Sequence, residues 1–123
     1  KKFNVNCCSL PGGNLDERRK AVSDASIVIA TGASGVILLN EDDWASNLSI
    51  EVLCDANAMP PLGISGIEMN DKAKIRHGKK TFGAIGFGGL KISVHRACIA
   101  KLFESNDLCL DAEEIYKFAK EMA

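Results

Sequence analysis

Apolar and polar residues alternate over residues 3–7, the period of a short strand. Residues 15–23 are polar and charged with few apolar positions, which predicts a short exposed helix. ASIVIA, residues 25–30, is a short apolar run and predicts a strand buried on both faces. TGASG, residues 31–35, predicts a loop, and residues 36–44 one or two helical turns. IEVLC, residues 50–54, predicts a second apolar strand; it ends at Asp55, where Asp-Ala-Asn-Ala-Met-Pro-Pro breaks regular structure. Residues 69–80 are charged and read as loop, residues 81–85 as a third strand. Leu90, Val94, Ala97, Cys98 and Leu102 stand at helical spacing, predicting a helix over 90–104. Residues 111–122 form a final helix with Asp111 and Glu114 spaced as a capping box. Buried strands alternating with helices predict an α/β fold with a mostly parallel sheet and flanking helices.

Composition narrows the class. The 123 residues are 46% hydrophobic and 25% charged, ordinary for one globular domain. A net charge of -1 gives no electrostatic footprint for nucleic acid or an anionic membrane surface. No apolar run is long enough for a membrane span, and no segment has signal-peptide layout. The five cysteines are odd in number and form no framework, and adjacent Cys7 and Cys8 are poor metal spacing. Reduced thiols in a cytoplasmic protein, with no bound metal, are the expectation. The chain opens Lys-Lys-Phe-Asn-Val, without an initiator methionine, and reads as entered in the middle of a domain.

In an open parallel sheet, ligands bind beyond the carboxyl ends of the strands. All three apolar strands end in small or polar residues: Thr31-Gly32-Ala33-Ser34-Gly35, then Asp55-Ala56-Asn57-Ala58-Met59, then Gly86-Phe87-Gly88-Gly89. Small residues there let a flat ligand approach the backbone. None of these loops is a Gly-x-Gly-x-x-Gly phosphate-binding fingerprint. Lys91 falls in the first turn of the predicted helix, where the macrodipole disfavours a cation; an exposed lysine and a cleft lysine both remain open. His95 shares its helix face, and a lone helical histidine is more often structural. His77 lies in a basic stretch that reads as a solvated face. Asp55 could orient a ligand hydroxyl or cap the Asn57 turn. Trp44 and Tyr116 read as core or helix packing.

VLCDANAMPPLGISGIE (52–68), KKTFGAIGFGGLK (79–91), HRACIAKLFESN (95–106) and LDAEEIYKFAKEMA (110–123) together resemble the C-terminal part of the NADP-dependent methylene-tetrahydromethanopterin dehydrogenases. The resemblance covers nearly the whole chain, more closely after Ile50; Ser34, Met59 and the Ser9–Gly13 turn depart from the family pattern. It implies that residues 1–90 are the second half of a Rossmann-type nucleotide-binding domain, present as a partial domain. Residues 91–123 would be a long helix at an interdomain cleft plus a C-terminal helix. A substrate domain and the glycine-rich pyrophosphate loop would lie outside this chain. Carried over by position, Thr31, Gly32 and Ala33 match the loop against the cofactor. Asn57 and Ala58, with Ile85 and Gly86, match the loops beside the nicotinamide, and Lys91 matches a lysine of the active-site cleft. The implied cofactor is NADP, with NAD open, the substrate a reduced pterin, and the assembly a homo-oligomer. A methylene-tetrahydrofolate or shikimate-type dehydrogenase, and a non-catalytic Rossmann-like binding module, are the competing readings.

Overall fold

A computed structural model of the chain describes residues 4–122. Its elements in order are α1 (Leu15–Ala21), β1 (Ile27–Ala30), α2 (Glu41–Trp44), β2 (Val52–Asp55), β3 (Lys72–Arg76), β4 (Lys79–Phe82), α3 (Ala84–Leu102) and α4 (Ala112–Met122). The strands form one four-stranded sheet in the order β1-β2-β4-β3. β1, β2 and β4 run parallel, and β3 pairs antiparallel with β4, so the fold is α/β with a mostly parallel, mixed sheet. Among the described residues no helix is long and apolar enough to cross a membrane.

The core sits on one face of the sheet. Trp44, Leu53, Ile64, Ala30, Leu39, Ile50 and Ile67 form it, with Val22, Val28, Leu38 and Ala45 packed around. Trp44 is fully buried and donates its indole N–H to the Ser65 carbonyl at 2.9 Å, which satisfies its one polar atom. α1 begins at Asn14, whose side chain accepts from the Glu17 N–H, and it ends in Arg18, Arg19 and Lys20, the charge order that a helix dipole favours. Arg19 reaches across to Asp43. Burial pushes the Asp43 carboxyl up, but hydrogen bonds from Arg19 and from the Asn40 N–H outweigh it and hold it below the usual range.

Several expectations are corrected here. Residues 4–7 carry no strand; Phe3, the start of that predicted element, lies outside the described residues. β1 is buried on one face only: Ile27 and Ile29 are 60% and 62% exposed while Ala30 faces the core. Within residues 69–80, read as loop, only 69–71 are turn; from Lys72 on they form a hairpin. β3 and β4 pair from Lys72↔Phe82 to Arg76↔Lys79, and the two turn residues between them, His77 and Gly78, have φ of 48° and 77°. Positive φ at both central positions is what a tight type I′ hairpin turn demands, and its twist matches the flanking strands. The third strand ends at Phe82, and the glycines after it are helical: α3 starts at Ala84, N-capped by Gly83. Tyr116 is exposed rather than packed.

The hairpin is held by Asp71, which is 2% exposed. Its carboxylate accepts from Arg76 Nε at 2.6 Å, Arg76 Nη2 at 2.9 Å, the Thr81 hydroxyl at 2.8 Å and the Glu68 N–H at 3.2 Å. The turn around it seats α3. The Gly83 N–H donates to the Asp71 carbonyl, and the Ile85 and Gly86 N–H groups both donate to the Met69 carbonyl. α4 packs along α3 against the face carrying the buried Val94 and Cys98. At its start the Glu114 carboxylate accepts from the Asp111 N–H at 3.1 Å, the reach-back expected of a capping box, while the Asp111 carboxylate takes the Glu113 N–H.

Candidate functional site

Because β1, β2 and β4 are parallel, their carboxyl ends share one edge of the sheet. Ala30 pairs with Asp55 as the last rung of β1 and β2, and the Ala56 N–H donates to the Ala30 carbonyl. Thr31 and Ala56 therefore leave the sheet side by side, carrying Gly32, Ala33, Asn57 and Ala58 with them.

Asp55 decides the shape of this edge. It is fully buried, and its two carboxylate oxygens accept from the Asn57 N–H at 2.9 Å and the Ile64 N–H at 2.7 Å. Both oxygens are used in folding the 57–64 loop back over the strand ends, so Asp55 is a cap and not a ligand for a hydroxyl. The Gly63 carbonyl then accepts from the Leu38 and Leu39 N–H groups, which ties this loop to the one after β1. Gly63 itself closes on the site: a Cβ there would stand 2.7 Å from Asn57 Nδ2, 3.2 Å from Asp55 Oδ1 and 3.3 Å from the Ala30 Cβ. Gly32 is constrained in the same way by Leu38, 2.6 Å from where its Cβ would be. Gly63 was not a candidate in the sequence.

Asn57 is the exception in this tightly bonded edge. It is 9% exposed, and its Nδ2 is the only described buried side-chain N or O without a hydrogen-bond partner. An unmatched buried amide costs about 1–3 kcal/mol unless something accepts from it. Thr31, Gly32, Ala33 and Ala58 around it are exposed.

The other predicted residues stand apart from this group. The Ile85 and Gly86 N–H groups are already bonded to Met69. A Cβ on Gly86 would overlap the Asp71 carbonyl oxygen, and one on Gly83 the Glu68 carbonyl oxygen, so both glycines have a packing reason. Gly88 and Gly89 face open space. Lys91 is the eighth residue of α3 and not in its first turn, so the dipole penalty does not reach it. It lines a mainly apolar groove of about 390 Å³ with Phe87, Leu90, Val94, His95 and Ile115. None of Thr31, Gly32, Ala33, Asn57 and Ala58 lines that groove. His77 is exposed, as expected of its basic stretch, but its ring meets Trp44 edge-on at 5.3 Å and its Nε2 lies 2.7 Å from a Glu41 oxygen. The Cys54 thiol is pushed up by burial and by the neighbouring Asp55 charge, which makes it a poor nucleophile. Among the described residues no cluster of His, Cys, Asp and Glu could hold a metal ion.

The chain is 52% identical over 123 residues to the bifunctional protein MdtA of Methylorubrum extorquens. It is 33% identical over 125 residues to the NAD(P)-dependent methylenetetrahydromethanopterin dehydrogenase of the same organism. The chain is a homologue of part of that dehydrogenase. The resemblance drawn from 52–68 and 79–91 therefore holds. The matches take in 100% and 99% of this chain but only 43% and 42% of the two curated relatives. No protein-family model matches the chain. The second relative is named as NAD(P)-dependent; three features of the strand-end edge of this chain bear on such a ligand. Glycines stand where a side chain would close the edge, small exposed residues surround it, and one buried amide donor lacks an acceptor.

Proposed function

We propose that this chain is the second half of a Rossmann-type nucleotide-binding domain in an NADP-dependent methylene-tetrahydromethanopterin dehydrogenase. The reaction moves a hydride from the methylene carbon between two pterin nitrogens and leaves a methenyl cation delocalised over both. When bound, the nicotinamide ring accepts that hydride. Everything else asked of the protein is position. Thr31, Gly32, Ala33, Asn57 and Ala58 would hold the cofactor end at the carboxyl edge of β1 and β2. Catalysis would come from keeping donor carbon and acceptor within near-attack distance. The observation that carries this reading is the orphaned Asn57 Nδ2 at the shared strand edge.

The test is Asn57→Ala in the full-length protein that carries this chain. Dinucleotide affinity, read by direct titration, is expected to fall about tenfold, about 1.4 kcal/mol, the upper end of one hydrogen bond's net worth. Thermal stability without ligand is expected to hold or rise, because Nδ2 has no partner to lose and its removal relieves an unmatched buried amide. Unchanged affinity for both NADP and NAD would overturn the assignment.

Lys91 is assigned to the pterin. A charged ammonium close to the forming cation would oppose it, so the useful role is a hydrogen bond to a polar pterin group rather than proton transfer. Lys91→Met is expected to raise the KM for the methylene pterin and to lower kcat, leaving dinucleotide affinity intact; wild-type values for both would remove this role. The exposed apolar rows, Ile27 and Ile29 on β1 and Ile85, Ile92 and Ile99 on α3, support a reading in which further chain or a second subunit packs on this half-domain. The 123 residues are accordingly expected to be inactive alone.

A further inference from the structure

α1 sends two neighbouring arginines to different targets. Arg19 bonds the buried Asp43 carboxylate and so fastens the helix to α2. Arg18, half-buried, bonds backbone instead. Its Nε donates to the Gly12 carbonyl at 2.8 Å, and its Nη1 to the Ile37 carbonyl at 3.0 Å and the Leu38 carbonyl at 3.4 Å. The guanidinium thus bridges a hollow of about 280 Å³ between the Pro11-Gly12 turn and Leu38, with Val28 and Ala30 of β1 also on its wall. In the sequence Arg18 reads only as one charge of an exposed helix.

Leu38 is the point where the two strand-end loops meet. Its N–H donates to the Gly63 carbonyl at 2.8 Å, and the next residue, Leu39, bridges Ile64 as one parallel rung. Its side chain stands against Gly32, 2.6 Å from where a Cβ would be, and a Cβ on Gly63 would stand 2.7 Å from Asn57 Nδ2. Thr31 to Ile37, between β1 and this point, are all exposed, so the path of that stretch is set by its two anchored ends. One end is the last rung of the sheet; the other is the Ile37–Leu38 peptide that Arg18 holds. A planar guanidinium, with its donors in a rigid fork, fixes carbonyls on two sides at once, which a single ammonium on a flexible stem does not. A loop already held in its bound shape costs less to order when the ligand arrives.

We propose that Arg18 is a positioning residue for the dinucleotide edge: by holding the Ile37–Leu38 peptide it sets Leu38 against Gly32, and keeps the 31–35 loop and Asn57 in the arrangement that receives the ligand. This rests on the reading of that edge as the dinucleotide site. Arg18 acts through Leu38 and is not asked to touch the ligand itself.

The test is equilibrium titration with NADP and with NAD, at a temperature where every variant is folded, of the full-length protein carrying Arg18→Met, Arg18→Lys, Arg19→Met or Asn57→Ala. Arg18→Met is expected to weaken dinucleotide binding about three- to tenfold, and Arg18→Lys nearly as much, because it keeps the charge and loses the fork. In turnover the KM for the dinucleotide rises by the same factor, while kcat at saturation and the affinity for the methylene pterin stay at the unaltered values. Arg19→Met, which leaves the buried Asp43 without its arginine, is expected to lower the thermal midpoint more than Arg18→Met does and to leave dinucleotide affinity unchanged. An equal loss of affinity in Arg19→Met would overturn the proposal, since the docking of α1 as a whole would then be the cause. Full affinity in Arg18→Lys would overturn it too, since charge and not the fork would then matter. Loss in Asn57→Ala with none in Arg18→Met removes the positioning role and leaves the dinucleotide reading standing. Loss in Arg18→Met with none in Asn57→Ala keeps the positioning role and removes Asn57 as a donor to the ligand; no loss in either removes both. Should Arg18→Met not fold, Arg18→Lys carries the same comparisons.

Discussion

Asp71→Asn is expected to cost about 3 kcal/mol of folding stability, the low end for breaking a buried ion pair. The reason is geometric. One carboxylate holds Arg76 through two nitrogens, the Thr81 hydroxyl and the Glu68 N–H, and the turn it anchors receives the first N–H groups of α3. Arg76 keeps a second carboxylate, Glu68 at 3.0 Å, which is why the low end applies. The Arg76 hydrogen bonds pull the Asp71 carboxyl down to about 2; burial opposes this, and Thr81 and the Glu68 N–H add to it. A folded value below the unfolded one of about 3.9 means that the stabilisation is complete above pH ~4 and is lost as pH falls toward 2. The difference corresponds to roughly 2–3 kcal/mol. Denaturation midpoints at pH 7, 4 and 2.5 check this. The native protein should lose stability over the acid interval, and Asp71→Asn should lose distinctly less. An equal acid slope in both would assign the effect to other carboxylates, of which Asp43 is also held low.

The same cluster shows why part of the fold was hidden in the sequence. β2 was legible because Val52 to Asp55 is apolar up to its end, and α4 because Glu114 sits three residues after Asp111. The β3–β4 hairpin was not, because its charges read as loop: Lys72, Lys74 and Arg76 lie on an exposed edge strand, and Glu68 and Asp71, which pair with Lys74 and Arg76, stand before it. The signal was in His77-Gly78, two residues that tolerate positive φ between runs with strand spacing. At the candidate site the strand ends were legible as chemistry, since Asp55-Ala56-Asn57 and Thr31-Gly32 are unusual successors to apolar strands. What each polar group does was not. That Asp55 is consumed by two backbone N–H groups, and that Asn57 Nδ2 is left over, depends on the path of the 57–64 loop, which sequence spacing does not specify. Glycines misled most. Gly86, Gly88 and Gly89 after a predicted strand suggest a loop, yet all three lie inside α3 despite their low helix propensity, and Gly83, read as strand, is its cap.

Those glycines separate into two kinds with opposite consequences. Gly86→Ala is expected to destabilise by about 3 kcal/mol or more, beyond the usual range for overpacking. Its new Cβ would overlap the Asp71 carbonyl oxygen and press on the next peptide, and backbone has no rotamer in which to yield. Either α3 tilts off its seat, losing the bonds from Ile85 and Gly86 to Met69, or the Asp71 turn moves and disturbs the Arg76 pair. Gly88→Ala, two residues on and facing open space, is expected instead to stabilise by about 0.5–1 kcal/mol, the ordinary gain of alanine over glycine inside a helix. Urea denaturation of the two variants side by side checks the contrast, and a tolerated Gly86→Ala would show that α3 is not seated by this contact. Dinucleotide and pterin titrations on the same pair then divide the roles. If Gly88→Ala gains stability but loses affinity for either ligand, the bare backbone at that turn is kept for close approach of the ligand. If affinity holds, packing against the 68–71 turn accounts for the glycine at 83 and 86, and the open pair at 88 and 89 needs another explanation, with Ile85 and Ile92 exposed on the same helix for a second element to cover.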